Sequence, residues 1–237
     1  MLRRNIRSDF MGGAYVFPGG GVDELDARTN RLIGLDDEAA SLRLDMASGG
    51  LAYYVACLRE LFEEAGLLIA CHQNGERAIF ADKGDIKRMA AHRRSINAGE
   101  MGFVAMMEQE DLLLDLRGIE YLAHWITPVG PPRRYDTRFF VALAPQGQVA
   151  THDEGETVAN EWLRPTDALR ARERGEMEIM FPTVRNLEPI EHFSTAFDVL
   201  SYARSLTSIP CIEPRISRSG QEGILMPGDE GFDEAGA

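Results

Sequence analysis

The chain has 237 residues, 44% of them hydrophobic and 27% charged. That length and composition suit one large globular domain, or a core domain with a substantial insertion, and exclude a wholly disordered chain. A formal net charge of −13 argues against a nucleic-acid-binding surface, which needs a basic face, and leaves room for a small phosphorylated substrate held through a divalent cation.

No apolar run approaches the ~20 residues that cross a bilayer, and the basic start Met1-Leu2-Arg3-Arg4 is not followed by an apolar stretch. A soluble, cytoplasmic protein with no membrane partner is the expectation. Cys57, Cys71 and Cys211 lack any ligand-like spacing and read as reduced packing residues.

In chain order, Gly13-Ala14-Tyr15-Val16-Phe17 reads as a short strand stopped by Pro18-Gly19-Gly20-Gly21, a combination that forces a turn. Residues 22–50 are acidic and irregular, with weak helical periodicity over 38–46. Over 51–65, Tyr54, Val55, Leu58, Leu61, Phe62 and Ala65 recur at three- and four-residue spacing, which predicts an amphipathic helix with Gly66 as its left-handed C-cap. Leu67-Leu68-Ile69-Ala70 then follows as an apolar strand or turn.

Residues 82–116 look helical throughout, broken near Asn97-Ala98-Gly99, and read as an inserted helical layer. Strands are predicted over 121–127, 138–143 and 158–163, separated by Pro- and Gly-containing turns. Thr166 is expected to cap a helix beginning near Pro165, and helical periodicity, interrupted by Pro182 and Pro189, runs on to about residue 206. The segment 212–226 suits a hairpin around residues 219–223, and the final Gly-, Asp- and Glu-rich residues should be loose. The class is mixed α/β.

The chemistry concentrates in Arg59-Glu60-Leu61-Phe62-Glu63-Glu64-Ala65-Gly66. Glu60 precedes Glu63 and Glu64 by three and four residues, so the three carboxylates converge on adjoining parts of one helical surface. Like charges so placed cost roughly 0.2–0.5 kcal/mol per pair. A hard, oxygen-seeking divalent cation would turn the repulsion into attraction, and Arg59 beside them would fix a carboxylate rotamer.

Phe17-Pro18-Gly19-Gly20 together with Arg59-Glu60-Leu61-Phe62-Glu63-Glu64-Ala65-Gly66-Leu67 resembles the two ends of the Nudix box, G-x5-E-x7-R-E-U-x-E-E-x-G-U with U a bulky apolar residue. The second half matches at every specified position. Gly20 to Arg59 spans 39 positions where the pattern has 14, leaving 25 extra residues. Counting eight positions back from Arg59 lands on Leu51 instead of the pattern's upstream Glu, so that residue's supporting role is either missing or filled from the insertion, by Asp23, Glu24 or Glu38.

The segment around Gly12-Gly13, the interrupted box, the helical insertion, Trp125-Ile126-Thr127-Pro128 and Arg138-Phe139-Phe140-Val141-Ala142 are similar to the Nudix subgroup containing the acyl-coenzyme A diphosphatases. The resemblance implies an α/β/α sandwich with a mixed sheet over residues 1–206, with a loop insertion at about 22–50, a helical insertion at about 82–118, C-terminal helices, and a tail over 207–237. It also implies a sheet strand ahead of Met1-Leu2-Arg3-Arg4, so a truncated or misassigned start is expected. The chain does not end in the peroxisomal Ser-Lys-Leu, which fits a cytoplasmic relative.

Carried over to this sequence, the resemblance implies Glu60, Glu63, Glu64 and the carbonyl of Gly20 as ligands of Mg²⁺ or Mn²⁺, with Arg59 supporting them. Glu156, ahead of Glu161-Trp162, would be general base or extra ligand, with Glu154 its competitor. Arg133, Arg134 and Arg138 are substrate-binding candidates. The basic stretch Lys83, Lys87, Arg88, His92, Arg93 and Arg94 either meets a further phosphate or is a solvated helix face. The implied partner is a nucleotide-derived diphosphate, coenzyme A or an acyl-coenzyme A, and a homodimer fits the family. An enzyme for ADP-ribose- or NADH-type substrates and a non-catalytic binding module are the alternatives.

Overall fold

A computed structural model describes residues 1–6, 12–153, 155, 157–217 and 223–235. In chain order these form β1 (Leu2–Arg4), β2 (Tyr15–Val16), β3 (Leu32–Ile33), α1 (Asp37–Arg43), α2 (Gly50–Ala65), β4 (Ala70–His72), α3 (Lys83–Asn97), α4 (Phe103–Gln109), β5 (Leu112–Asp115), β6 (Glu120–Ile126), β7 (Asp136–Val141), β8 (Thr157–Asn160), α5 (Pro165–Glu173), α6 (Phe181–Leu187), α7 (Ala196–Ser205), β9 (Cys211–Ile212), β10 (Arg215–Ile216) and β11 (Ile224–Leu225). The strands assemble in the orders β2-β1-β8, β3-β5-β4 and β7-β6-β9, with β10 and β11 paired on their own. Parallel pairing (β3 with β5, β6 with β9) sits beside antiparallel pairing (β4 with β5, β6 with β7) in two of these sheets, which are therefore mixed, while β1 pairs antiparallel with both β2 and β8.

The helix α2 lies at the centre of the main core. Its apolar stripe buries Tyr54, Val55, Leu58 and Phe62 against Leu112 and Leu114 of β5, Phe103 and Met106 of α4, and Met89 and Ile96 of α3. Each such side chain contributes roughly 1.5–3 kcal/mol of hydrophobic transfer. Its N-terminus is capped from α1: the Asp37 carboxylate accepts from the N–H groups of Gly49 and Leu51, both at 3.0 Å, and Ser41 Oγ accepts from Gly50 N at 2.9 Å. The approach is so close that a Cβ on Gly50 would run into the backbone of Ser41. The helix stops at Gly66, whose φ of 69° is left-handed and whose N–H returns to Phe62 O.

A second apolar cluster, with Tyr15, Ala168, Met177, Ile179, Val184 and Leu187, is built by the C-terminal helices against β2. No described helix is long and apolar enough to cross a membrane.

Several sequence expectations need correction. Residues 112–115 are strand β5, not the end of a helical layer; Asp111, at φ 51°, turns the chain out of the helical path, and the strand pairs with both β3 and β4. The acidic stretch contains the unexpected strand β3, while α1 falls where the weak helical periodicity lay. Arg164, not Thr166, is the N-cap residue of α5, because Pro165 already occupies the first turn, and Thr166 Oγ1 donates to Glu191 O instead. Cys211 is exposed on β9, so it is not a packing residue. The tip of the expected hairpin, 218–222, lies outside the described residues.

Candidate active site

The three glutamates sit on the last two turns of α2, and the turn after Pro18 folds back over them. Gly19 N donates to Glu64 Oε2 at 3.0 Å. Gly20 lies so close to Glu60 that a Cβ there would overlap the carboxylate and force it to move. Gly21 O accepts from Arg59 Nη2 at 2.6 Å.

Arg59 is the hub. Its guanidinium is buried and meets Asp26 through two parallel bonds, Nε to Oδ1 and Nη2 to Oδ2, each 3.0 Å. Nη1 donates to Glu60 Oε1 at 2.7 Å and Glu63 Oε2 at 3.1 Å. Burial alone would lower the Arg59 pKa, but Asp26 and Glu60 outweigh it and hold the group above its ordinary value. For Glu63, burial raises the carboxyl pKa first, Arg59 opposes it, Glu60 adds to it, and the net direction is upward. A bound cation would reverse that, because its charge favours the ionised carboxylate.

Asp26 is the residue that sequence reasoning missed. It is 2% exposed and also accepts from Asp23 N at 2.8 Å, so its lone pairs are well used. The signal was available: Asp26 stands six positions after Gly20, where the box places its upstream carboxylate when counted forward. The insertion lies after it, so counting back from Arg59 met Leu51. Among the residues expected to fill the role, Asp23 stands 3.8 Å from Arg59, Glu24 pairs with Arg28, and Glu38 belongs to the first turn of α1.

Among the described residues, no three carboxylates are already gathered at metal-ligating distance; Glu60 and Glu63 turn onto Arg59, and Glu64 onto the Gly19 N–H. The donor set nevertheless suits a hard cation: all ligands would be oxygens, and the Gly20 backbone touches Glu60 where a side chain would intervene. A cavity of about 260 Å³ adjoins the cluster, lined by Asp23, Asp26, Arg59 and Glu63 on one side and by Ile96, Phe103 and Val104 of the insertion on the other.

The expected substrate arginines do not share one place. Arg138 has a buried side chain that stacks 4.4 Å above the Tyr53 ring, on the α2 face that carries Glu60 two turns later, and pairs with Asp136 at 2.9 Å. Arg134 is taken up by Thr127 O and Glu213, and Arg133 is exposed in the turn before β7. Glu156 and Glu154 lie outside the described residues. In the basic stretch, Arg88 and His92 pair with Glu110, and Arg93 is buried.

The profile of the NUDT19 Nudix domain matches residues 35–190, more than half the chain. The acyl-coenzyme A diphosphatase NUDT19 of Xenopus laevis is 24% identical over 99% of this chain and 71% of its own length. The protein of that name from Homo sapiens is 23% identical over 97% and 71%. A solved NUDIX hydrolase from Alicyclobacillus acidocaldarius superposes with a TM-score of 0.64, covering 84% of this chain and 86% of that one at 24% identity, which speaks for the fold.

Proposed function

The chain belongs to the NUDT19 Nudix family and is a Nudix pyrophosphohydrolase, and from that premise we propose that it hydrolyses the diphosphate of coenzyme A or an acyl-coenzyme A in the presence of Mg²⁺ or Mn²⁺. The products are 3′,5′-ADP and the corresponding (acyl)phosphopantetheine. The relatives named acyl-coenzyme A diphosphatase support this substrate class. The observation that carries the reading is the Arg59 clamp, which ties the glycine turn, Asp26 and the carboxylate helix into one unit.

In the proposed mechanism Glu60, Glu63, Glu64 and the Gly20 carbonyl would hold the cation, which when bound would supply charge neutralisation and a more nucleophilic water. Asp26 keeps Arg59 in place, so that Arg59 orients Glu60 and Glu63 from behind. Water adds to one phosphorus, the bridging P–O bond breaks, and the bridging oxygen leaves with the departing phosphate. Glu156 takes the proton of the attacking water. Arg138 offsets substrate charge, with Arg133 and Arg134 as further candidates for the same role.

The test is incubation with coenzyme A, an acyl-coenzyme A, ADP-ribose and NADH, with and without Mg²⁺, followed by mass spectrometry. Metal-dependent 3′,5′-ADP is the expected product. AMP from ADP-ribose or NADH alone would discard the substrate. Glu63→Gln should lower kcat by more than about 100-fold, beyond what outer partners of a metal site cost, with an unchanged circular-dichroism spectrum; an unchanged kcat would remove the ligand assignment.

A further inference from the structure

The last turn of α2, which carries Glu63 and Glu64, ends with backbone carbonyls that have no partner within the helix. They are satisfied from two directions. The insertion helix α3 sends Arg93, whose Nε donates to Glu63 O at 2.8 Å, and Asn97, whose Nδ2 donates to the same oxygen at 3.2 Å. The segment ahead of β8 sends Thr151, whose N–H reaches Ala65 O at 2.9 Å.

Arg93 belongs to both sets. Besides Glu63 O, its Nη1 donates to Thr151 Oγ1 at 3.0 Å and to His152 O at 3.5 Å. The residue is 8% exposed, and its Nη2 is buried with no hydrogen-bond partner among the described residues, facing the charges of Asp153 and Glu64. Gly66 leaves the space for it: a Cβ there would lie 3.1 Å from both Arg93 Nη1 and Thr151 Oγ1. Beyond Thr151 the loop is internally tied, since Asp153 Oδ1 accepts from Thr157 N at 2.8 Å and Thr157 Oγ1 at 2.7 Å. A buried cation spanning a helix C-terminus and a loop is a costly arrangement unless the spacing it sets matters, because an arginine pays both desolvation and rotamer entropy.

We propose that Arg93 is a positioning residue of the active site, holding the carboxylate-bearing end of α2 and the segment Thr151–His152 at a fixed separation. The insertion would then take part in catalysis by setting where the loop stands relative to Glu63 and Glu64. This rests on the hydrolase reading above for the reaction, but not for the substrate.

The experiment compares wild type with Arg93→Lys, Arg93→Met and Thr151→Val, measuring kcat and KM on both coenzyme A and ADP-ribose and amide exchange over 150–157 and 63–66. Arg93→Met should lower kcat about 10- to 100-fold, as lost supports of a metal site do, with KM within about threefold and faster exchange in both segments. Arg93→Lys, which keeps the charge but reaches fewer acceptors, should recover part of kcat. Thr151→Val should fall on the same side with a smaller loss, and it decides the matter if Arg93→Met does not fold. Faster exchange with unchanged kcat would overturn the proposal and leave Arg93 a packing residue. If wild type turns over ADP-ribose and not coenzyme A, the substrate reading fails, while the same ratios on ADP-ribose still decide the role of Arg93.

Discussion

Replacing Asp26 by Ala should destabilise the fold and weaken the site together. Asp26 and Arg59 have side chains 2% and 9% exposed, joined by two bonds of 3.0 Å, so removing the carboxylate strands half of a buried cation. Breaking such a pair costs about 3–5 kcal/mol. Arg59 keeps Glu60, Glu63 and Gly21 O as partners, which places the expected loss near the lower bound, about 3 kcal/mol. For a chain of this size that is a fall in Tm of roughly 6–12 °C. Urea unfolding followed by circular dichroism reads the free energy, and Mg²⁺ titration of turnover reads the site. Half-saturation should move to higher Mg²⁺, because an Arg59 released from Asp26 competes more strongly for the glutamates. Asp26→Asn, which keeps an acceptor but not the charge, should lose about 1.5–3 kcal/mol. An Asp26→Ala protein within about 0.5 kcal/mol of wild type, the range of an ordinary surface change, would refute the clamp as described.

Gly20→Ala should cut turnover at least about tenfold by displacing Glu60, whereas Gly19→Ala, where a Cβ meets nothing within 4 Å, should stay close to wild type; steady-state kinetics of the pair separates contact from general turn effects. Asp115 offers a pH test. Burial raises its pKa, but the bonds from Arg117 outweigh it and leave the folded value below the ordinary one. Its contribution is therefore full above the unfolded pKa, near ~3.9, and lost as pH falls through the depressed folded value. Asp115→Asn should cost about 1–3 kcal/mol at pH 7 in thermal unfolding, with the gap to wild type closing in stronger acid; a gap independent of pH would sink the assignment.

The readability of this chain depended on how local each feature is. The helix α2 was legible because its burial stripe, its Gly66 cap and its glutamates all lie within seventeen consecutive residues. The strands β6 and β7 were legible from β-branched and aromatic runs between turns. By contrast, Leu112-Leu113-Leu114 has no period to distinguish strand from helix, and only its pairing with β3 and β4 decides. Cys211-Ile212 is too short to announce itself and exists as β9 because β6 offers an edge. The same holds within the site. Arg59 and the glutamates were visible, whereas Arg93 looked like one more cation on a solvated face, since its partners Glu63 O and Thr151 are 30 and 58 positions away. The partner of Arg134 was hidden for the same reason, since Glu213 lies 79 positions away.

The clamp also closes a ring of chain. Arg59 grips Asp26 and Gly21 across 33 and 38 positions, and the segment between them leaves and returns to the same spot. Closure entropy grows only with the logarithm of length, so stretching the glycine-to-arginine interval from 14 to 39 positions adds about 0.9 kcal/mol. Part of the segment is itself ordered, since β3 pairs with β5 and α1 caps α2. The motif is thus a pair of facing ends whose spacing along the chain is nearly free, and a search that fixes that spacing will pass over sequences that build the same site.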